Sequence, residues 1–162
     1  MVTPIRQKHS STMLSKIFVP RSQSFGPTTN KRLEDLSVLV VDDSALNRKM
    51  LIRILKQHHI GSSYEGLSDG MLLVKELSVK SDLINNSKNF AKKGDESVRK
   101  YDVILLDDHM IDMDGSEAIR ILRRAGYDGL VVGLTGSAMD KDLNAFCAAG
   151  VDYALPKPFV VD

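Results

Sequence analysis

Asp42-Asp43 and Asp107-Asp108 are acidic pairs, and each stands at the end of a short apolar run. Residues 38–41 (Val-Leu-Val-Val) precede the first pair, and residues 103–106 (Val-Ile-Leu-Leu) precede the second. Runs of that length and composition read as buried parallel strands. Ligand chemistry in open α/β sheets collects outside the carboxyl ends of the strands. Two such strands in parallel bring Asp42, Asp43 and Asp107 to one sheet edge. Carboxylates crowded in this way repel one another, and either a cation or a raised pKa relieves the repulsion. All the donors on offer are oxygens, which suits a hard cation, Mg²⁺ or Mn²⁺. Mg²⁺ takes one or two carboxylates and keeps places for water and phosphate oxygens. The cluster is therefore better suited to handling a phosphoryl group than to permanent structural metal binding. On this evidence Asp107 and Asp108 are equally eligible.

Two further strand ends carry groups that suit a phosphoryl oxygen. Residues 130–134 (Leu-Val-Val-Gly-Leu) form a strand candidate that ends in Thr135-Gly136-Ser137, and a hydroxyl there can donate to such an oxygen. Residues 153–155 (Tyr-Ala-Leu) form another, ending in Pro156-Lys157-Pro158. An ammonium there is a movable point charge suited to phosphate, and the two prolines restrict the backbone around it. Taken singly, each is an ordinary turn or loop residue. The ordered set of acidic pair, Asp, Thr and Lys, each at a strand end, is not ordinary.

Elements must position these groups. Ser44 reads as the N-cap of a helix over residues 45–55. Leu46, Met50, Leu51, Ile54 and Leu55 are read as its apolar face, with Arg48, Lys49, Arg53 and Lys56 on the rest. A second strand is placed near residues 62–65 and a second helix from Ser68 to about Ser78. A helical pattern follows Gly115, and Cys147 lies in an Ala-rich helical stretch as a small core residue.

The chain resembles a receiver domain of the two-component response regulator family over roughly residues 36–159. The matching residues are Val-Leu-Val-Val-Asp42-Asp43, Asp107 with Met110, Met113, Asp114 and Gly115, Leu134-Thr135, and Lys157-Pro158-Phe159. The resemblance implies a flavodoxin-like, doubly wound α/β fold with a five-stranded parallel sheet of order 2-1-3-4-5. It implies that Asp107 is the phosphoacceptor, a carboxylate nucleophile that becomes an acyl phosphate. Asp43 would ligate Mg²⁺ directly, Asp42 directly or through water, and the backbone carbonyl of His109 would be a third protein ligand. The His109 side chain would face solvent. Thr135 and Lys157 would bind the phosphoryl oxygens. His109 and Ser137 occupy positions that in the family set the lifetime of the acyl phosphate. The Lys157-Pro158 bond corresponds to one that is cis in the family. The donor would be a phosphohistidine on a histidine kinase or a histidine phosphotransfer protein. Such a domain is not an enzyme with its own turned-over substrate; it takes part in its own phosphorylation and dephosphorylation.

The departures from the family pattern are Ile111, where Pro is usual, and Ala154, where Tyr or Phe often acts as a rotamer switch. Tyr153 lies on the opposite face of the strand and does not replace it. Two rival readings belong to other classes. An Mg²⁺-dependent phosphatase with an aspartyl nucleophile prefers Asp-x-Asp, whereas this chain has Asp107-Asp108-His109. A pseudo-receiver that binds partners without phosphorylation is at odds with the intact set Asp43, Asp107, Thr135 and Lys157.

The 162 residues fit one domain preceded by a tail. Residues 1–32 hold six of the 22 Lys and Arg and no acid; the other 16 share residues 33–162 with 21 Asp and Glu, a net −5. Residues 1–35, rich in Ser, Thr and Pro, read as a disordered basic tail, and residues 36–162 as the domain. An acid-free tail also has the composition of an organelle transit peptide, the alternative to a cytoplasmic location. No basic nucleic-acid patch is evident in the domain. The single cysteine suits a reducing compartment, and no apolar run approaches the ~18 residues of a membrane span. A polar, aperiodic stretch near residues 80–100 reads as an inserted loop at the edge away from the acidic cluster. The sequence ends at Asp162, where a five-fold βα domain would continue into a final helix. A fragment of a longer chain such as a hybrid histidine kinase is the favoured explanation. The alternatives are a covering partner or the patch Met13 to Phe18 folding back.

Overall fold

The computed structural model describes residues 31–85 and 101–158. Its elements run β1 (Ser37–Val41), α1 (Ala45–Gln57), β2 (Ser63–Leu67), α2 (Gly70–Asn85), β3 (Val103–Asp107), α3 (Gly115–Arg124), β4 (Leu130–Thr135), α4 (Asp140–Ala149) and β5 (Tyr153–Pro156). All strands are parallel in one sheet of order β2-β1-β3-β4-β5. The order reverses between β1 and β3, where Val41 lies beside Leu106. That switch point sets the ends of β1 and β3 side by side, as an open α/β sheet requires of its ligand crevice.

The central strands are apolar on both faces because helices cover both. On one face Leu39, Val41, Ile104, Leu106, Val131 and Ala154 pack with Leu73 of α2, Ala118, Ile119 and Leu122 of α3, and Leu143, Phe146 and Cys147 of α4. On the other, Val38, Val40 and Leu134 meet Leu51 of α1, with Ile52 and Leu55 half-buried beside it. Val103, Leu105, Val132 and Leu155 on this α1 face remain partly exposed.

Three sequence expectations shift. Leu46 and Met50 do not belong to the inward face of α1, being 73% and 52% exposed. The inward stripe runs through Leu51, Ile52 and Leu55, with Arg48 one turn ahead; the apolar residues on α1 span too wide an arc for composition to fix its rotation. Helix α2 starts at Gly70 and reaches Asn85, beyond the expected end near Ser78. Leu73, Leu77 and Ile84 continue a helical spacing, and no Gly or Pro interrupts residues 71–93. The rest of the polar stretch, residues 86–100, lies outside the described residues. The expected tail, residues 1–35, yields its last residues to the domain: Leu33–Asp35 form a 3₁₀ turn, and the Leu33 carbonyl accepts from the Gly61 amide at 2.7 Å. Residues 1–30, with Met13 to Phe18, and residues 159–162 lie outside the described residues. No helix among the described residues is long and apolar enough to cross a membrane.

Candidate functional site

Asp42, Asp43 and Asp107 each offer a carboxylate oxygen, and these three atoms lie within 4.8 Å of one another. The two aspartates of the first pair part company in environment. Asp42 is fully buried, whereas Asp43 is half-buried. The Asp42 carboxylate accepts from the Ser44 amide at 2.9 Å, from Asn47 Nδ2 at 3.2 and 3.3 Å, and from Lys157 Nζ at 2.8 Å. A buried charge requires such donors. Among the described residues, no donor is directed at the Asp43 carboxylate.

Helix α1 holds this corner in place. Ser44 caps it through the Asn47 amide at 3.3 Å. Asn47, in the first turn, then turns its side-chain amide back onto Asp42. Arg48 Nη1 donates to the carbonyls of Asp42 at 2.5 Å and of Asp43 at 3.2 Å. Neither role was read from the sequence, where Arg48 counted as part of the solvated face. The available signal was position: both residues occupy the first turn of a helix that begins at the sheet's carboxyl edge.

Asp107 ends β3 and is buried, with Lys157 Nζ at 2.8 Å from Oδ1. Its pKa is raised, first by burial and further by the neighbouring Asp42; Lys157 and the Asp108 amide offset this in part. The Lys157 pKa is also raised: burial pulls it down, but hydrogen bonds and charge from Asp107 and Asp42 outweigh burial. Asp108, equally eligible by sequence, turns elsewhere and accepts from Ser116 Oγ at 2.6 Å. A Cβ at Gly115 would overlap the main-chain carbonyl oxygen of Asp107, so glycine lets α3 start directly against that residue. The His109 side chain is 76% exposed, and its ring nitrogens stand 4.0 Å from Asp108 and from Asp114. Its backbone lies two residues past Asp107, on the same loop.

Thr135 is fully buried at the end of β4, and its hydroxyl accepts from the Ser137 amide at 3.2 Å. Its carbonyl accepts from the Lys157 amide at 2.7 Å, which ties the two strand ends together. The Lys157-Pro158 peptide is cis. Ala154 is buried and Tyr153 half-buried, on opposite faces of β5. The fold thus brings Asp42, Asp43, Asp107 and Lys157 into one cluster, with Thr135 joined to it through the Lys157 backbone. Asp42 and Asp107 share one ammonium and Asp43 has none among the described residues, so three carboxylates stand against a single positive charge and two negative charges are left for a divalent cation to balance. The donors are all oxygens, so the residues fit a hard ion.

The profile of the response regulator receiver domain matches residues 38–162. Sensor histidine kinase RcsC of Salmonella typhimurium is 30% identical over 139 residues, a match that takes in 84% of this chain and 12% of the kinase. Two-component response regulator ORR41 of Oryza sativa subsp. japonica is 27% identical, and the match covers 76% of this chain and 84% of that protein. Among solved structures, the receiver domain of the histidine kinase CKI1 from Arabidopsis thaliana, complexed with Mg²⁺ and BeF₃⁻, superposes with a TM-score of 0.57 at 24% identity, covering 75% of this chain and 80% of that one. The Francisella response regulator 1452 receiver domain gives a TM-score of 0.58 at 22% identity, covering 78% and 87%. The profile takes in more than half the chain and the solved receivers share its fold, so the chain belongs to the response regulator receiver domain family of two-component signalling.

Proposed function

We propose that this domain accepts a phosphoryl group on Asp107 from a phosphohistidine of a histidine kinase or histidine phosphotransfer protein, with Mg²⁺ as cofactor. One observation carries the reading: three carboxylates from two adjacent strand ends lie within 4.8 Å, and the one ammonium beside them bridges Asp42 and Asp107 and leaves Asp43 without a donor among the described residues. Asp43 would hold the ion directly and Asp42 directly or through water, with Asp107 and the His109 carbonyl completing the protein ligands. When bound, Mg²⁺ supplies positive charge against the phosphoryl oxygens.

The chain's own residues do the rest. An Asp107 carboxylate oxygen attacks phosphorus; a P–O bond forms, the P–N bond breaks, and the electron pair leaves on the imidazole nitrogen, which takes a proton from solvent. Lys157 already touches Asp107 and offsets charge on the transferred group. Thr135 offers its hydroxyl proton, since one lone pair is occupied by the Ser137 amide. Positioning and charge neutralisation carry most of the work in such transfers. Water later cleaves the acyl phosphate to restore the carboxylate, so the domain switches state and turns over no separate substrate. The phosphorylated form shifts an existing two-state equilibrium of the domain. A cytoplasmic location suits such a partner and the single buried Cys147, whose thiol pKa is pushed up to about 11 by burial and by Asp152.

Beryllofluoride, a phosphoryl mimic, tests this reading. With Mg²⁺ it should raise the melting temperature of the wild type and leave Asp107→Asn unchanged. An equal rise in both would contradict the role of Asp107. Turnover of free phosphomonoesters would favour the phosphatase reading.

A further inference from the structure

We infer that Asp142 is a positioning residue for Thr135, acting through Ser137; the inference rests on the phosphoryl-accepting reading above. Thr135 needs its hydroxyl proton aimed into the site. A hydroxyl has one proton and two lone pairs, so whatever donates to the oxygen restricts where that proton goes. The donor is the Ser137 amide, at 3.2 Å from Thr135 Oγ1. The loop carrying that amide is held by its own side chain. Ser137 Oγ donates to Asp142 Oδ2 at 2.5 Å and accepts from the Met139 amide at 3.3 Å.

Asp142 is well placed for this. It lies in the first turn of α4, where a carboxylate is favoured by the helix dipole. Its amide donates to the Met139 carbonyl at 3.0 Å, so both ends of the residue fasten the loop that joins β4 to α4. Leu143 and Phe146, on the same helix, are core residues, which makes α4 a firm anchor. The chain of contacts is therefore core, α4, Asp142, Ser137, Thr135. The neighbouring strand offers no substitute: residue 154 is a buried alanine, with neither a ring nor a hydroxyl to follow Thr135. Ser137 matters here through its amide position, set from outside the acidic cluster, and not only through what its hydroxyl touches.

The test uses the full chain with Mg²⁺ and phosphoramidate, a small phosphoryl donor, and reads initial rates of acyl phosphate formation. Asp142→Ala should slow uptake about tenfold, a modest loss of the kind that follows small misplacement of a group. Asp142→Asn keeps an acceptor oxygen for Ser137 and should stay within about twofold of wild type. Mg²⁺ affinity should be the same in all three, because no metal-side residue is moved. Ser137→Ala should match Asp142→Ala, and the double variant should be no slower than either single one. The role of Asp142 is overturned if Asp142→Ala matches a phosphorylated wild type, if Asp142→Asn is as slow as Asp142→Ala, or if the two single effects add. A fall in Mg²⁺ affinity that tracks the rate also overturns it. Should the wild type take up no phosphoryl group, the Asp107 reading falls, and this one with it.

Discussion

The two ends of the sheet treat aspartate in opposite ways. At the amino end Asp102 and Asp152 each have a cation and a backbone donor. Asp102 accepts from Lys31 at 2.9 Å and from the Ser37 amide at 2.7 Å. Asp152 accepts from Arg123 at 2.9 Å and from the Val131 amide at 2.7 Å. Arg123 also donates to the carbonyls of Tyr127, Gly129 and Gly150, stapling the turn that enters β4 to the turn that enters β5. Gly150 itself has a φ of +128°, and a side chain there would press on Arg123. At the carboxyl end Asp42 and Asp107 share Lys157, and Asp43 beside them has no cation among the described residues. The pKa directions follow. Burial pushes Asp102 up, but Ser37 and Lys31 outweigh it and its pKa is lowered. Asp107 stays raised, because burial and Asp42 outweigh its donors. The amino end is built for stability, and the carboxyl end holds charge that folding alone leaves poorly balanced. Poorly balanced charge at a strand end is a mark of function.

Substitutions at the two ends should separate these roles. The largest effect belongs to Lys157→Met, which leaves the fully buried Asp42 without its cation and should cost about 3 kcal/mol in denaturant unfolding without metal. Added Mg²⁺ should recover part of that loss, and phosphoryl uptake should fall roughly 10²-fold. Arg123→Ala at the opposite end should cost about 2 kcal/mol, because buried acceptors lose a charged donor. It should leave Mg²⁺ affinity at the wild-type value, measured by calorimetric titration. A parallel fall would erase the distinction between the two ends.

Asp107→Asn removes a charge that its surroundings disfavour, so it should stabilise the domain, seen as a melting temperature above that of the wild type without metal. The smallest effect is in the pH profile. The folded-state pKa of Asp102 is lowered, so its stabilisation is present above the unfolded value of about 3.9 and is lost as pH falls through the folded value. Asp107 has the reverse sign. Its folded pKa is raised, so between about 3.9 and that value the folded domain holds more protons, and stability falls as pH rises. Melting curves of Asp102→Asn should lack the acid-side loss, and those of Asp107→Asn should lack the decline above about pH 4. Identical profiles would contradict the assignment.

The carboxyl end was the more legible of the two in the sequence. Each of its groups follows an apolar run directly, so the strand that buries the run also places the group. Asp107 and Asp108 could not be told apart by their own run; the register of Met110, Met113, Asp114 and Gly115 distinguished them, and Ser116 accounts for the second. The amino end was not legible. Lys31 to Asp102 and Arg123 to Asp152 are pairings across 71 and 29 residues, and they exist only once the strands are ordered. The rotation of α1 escaped for a different reason. Leu46 and Met50 are as apolar as Leu51, and periodicity does not say which edge of a wide stripe faces the sheet. Asn47, Arg48 and Asp142 were missed because a polar residue in a first helical turn looks alike whether it faces solvent or a neighbouring loop.

Intact mass measurement after incubation with Mg²⁺ and phosphoramidate tests the central claim most directly. The wild type should gain one phosphoryl group, borohydride reduction should map it to Asp107, and Asp107→Asn should gain none. A wild type that gains nothing, or an Asp107→Asn that gains as much, would contradict the account.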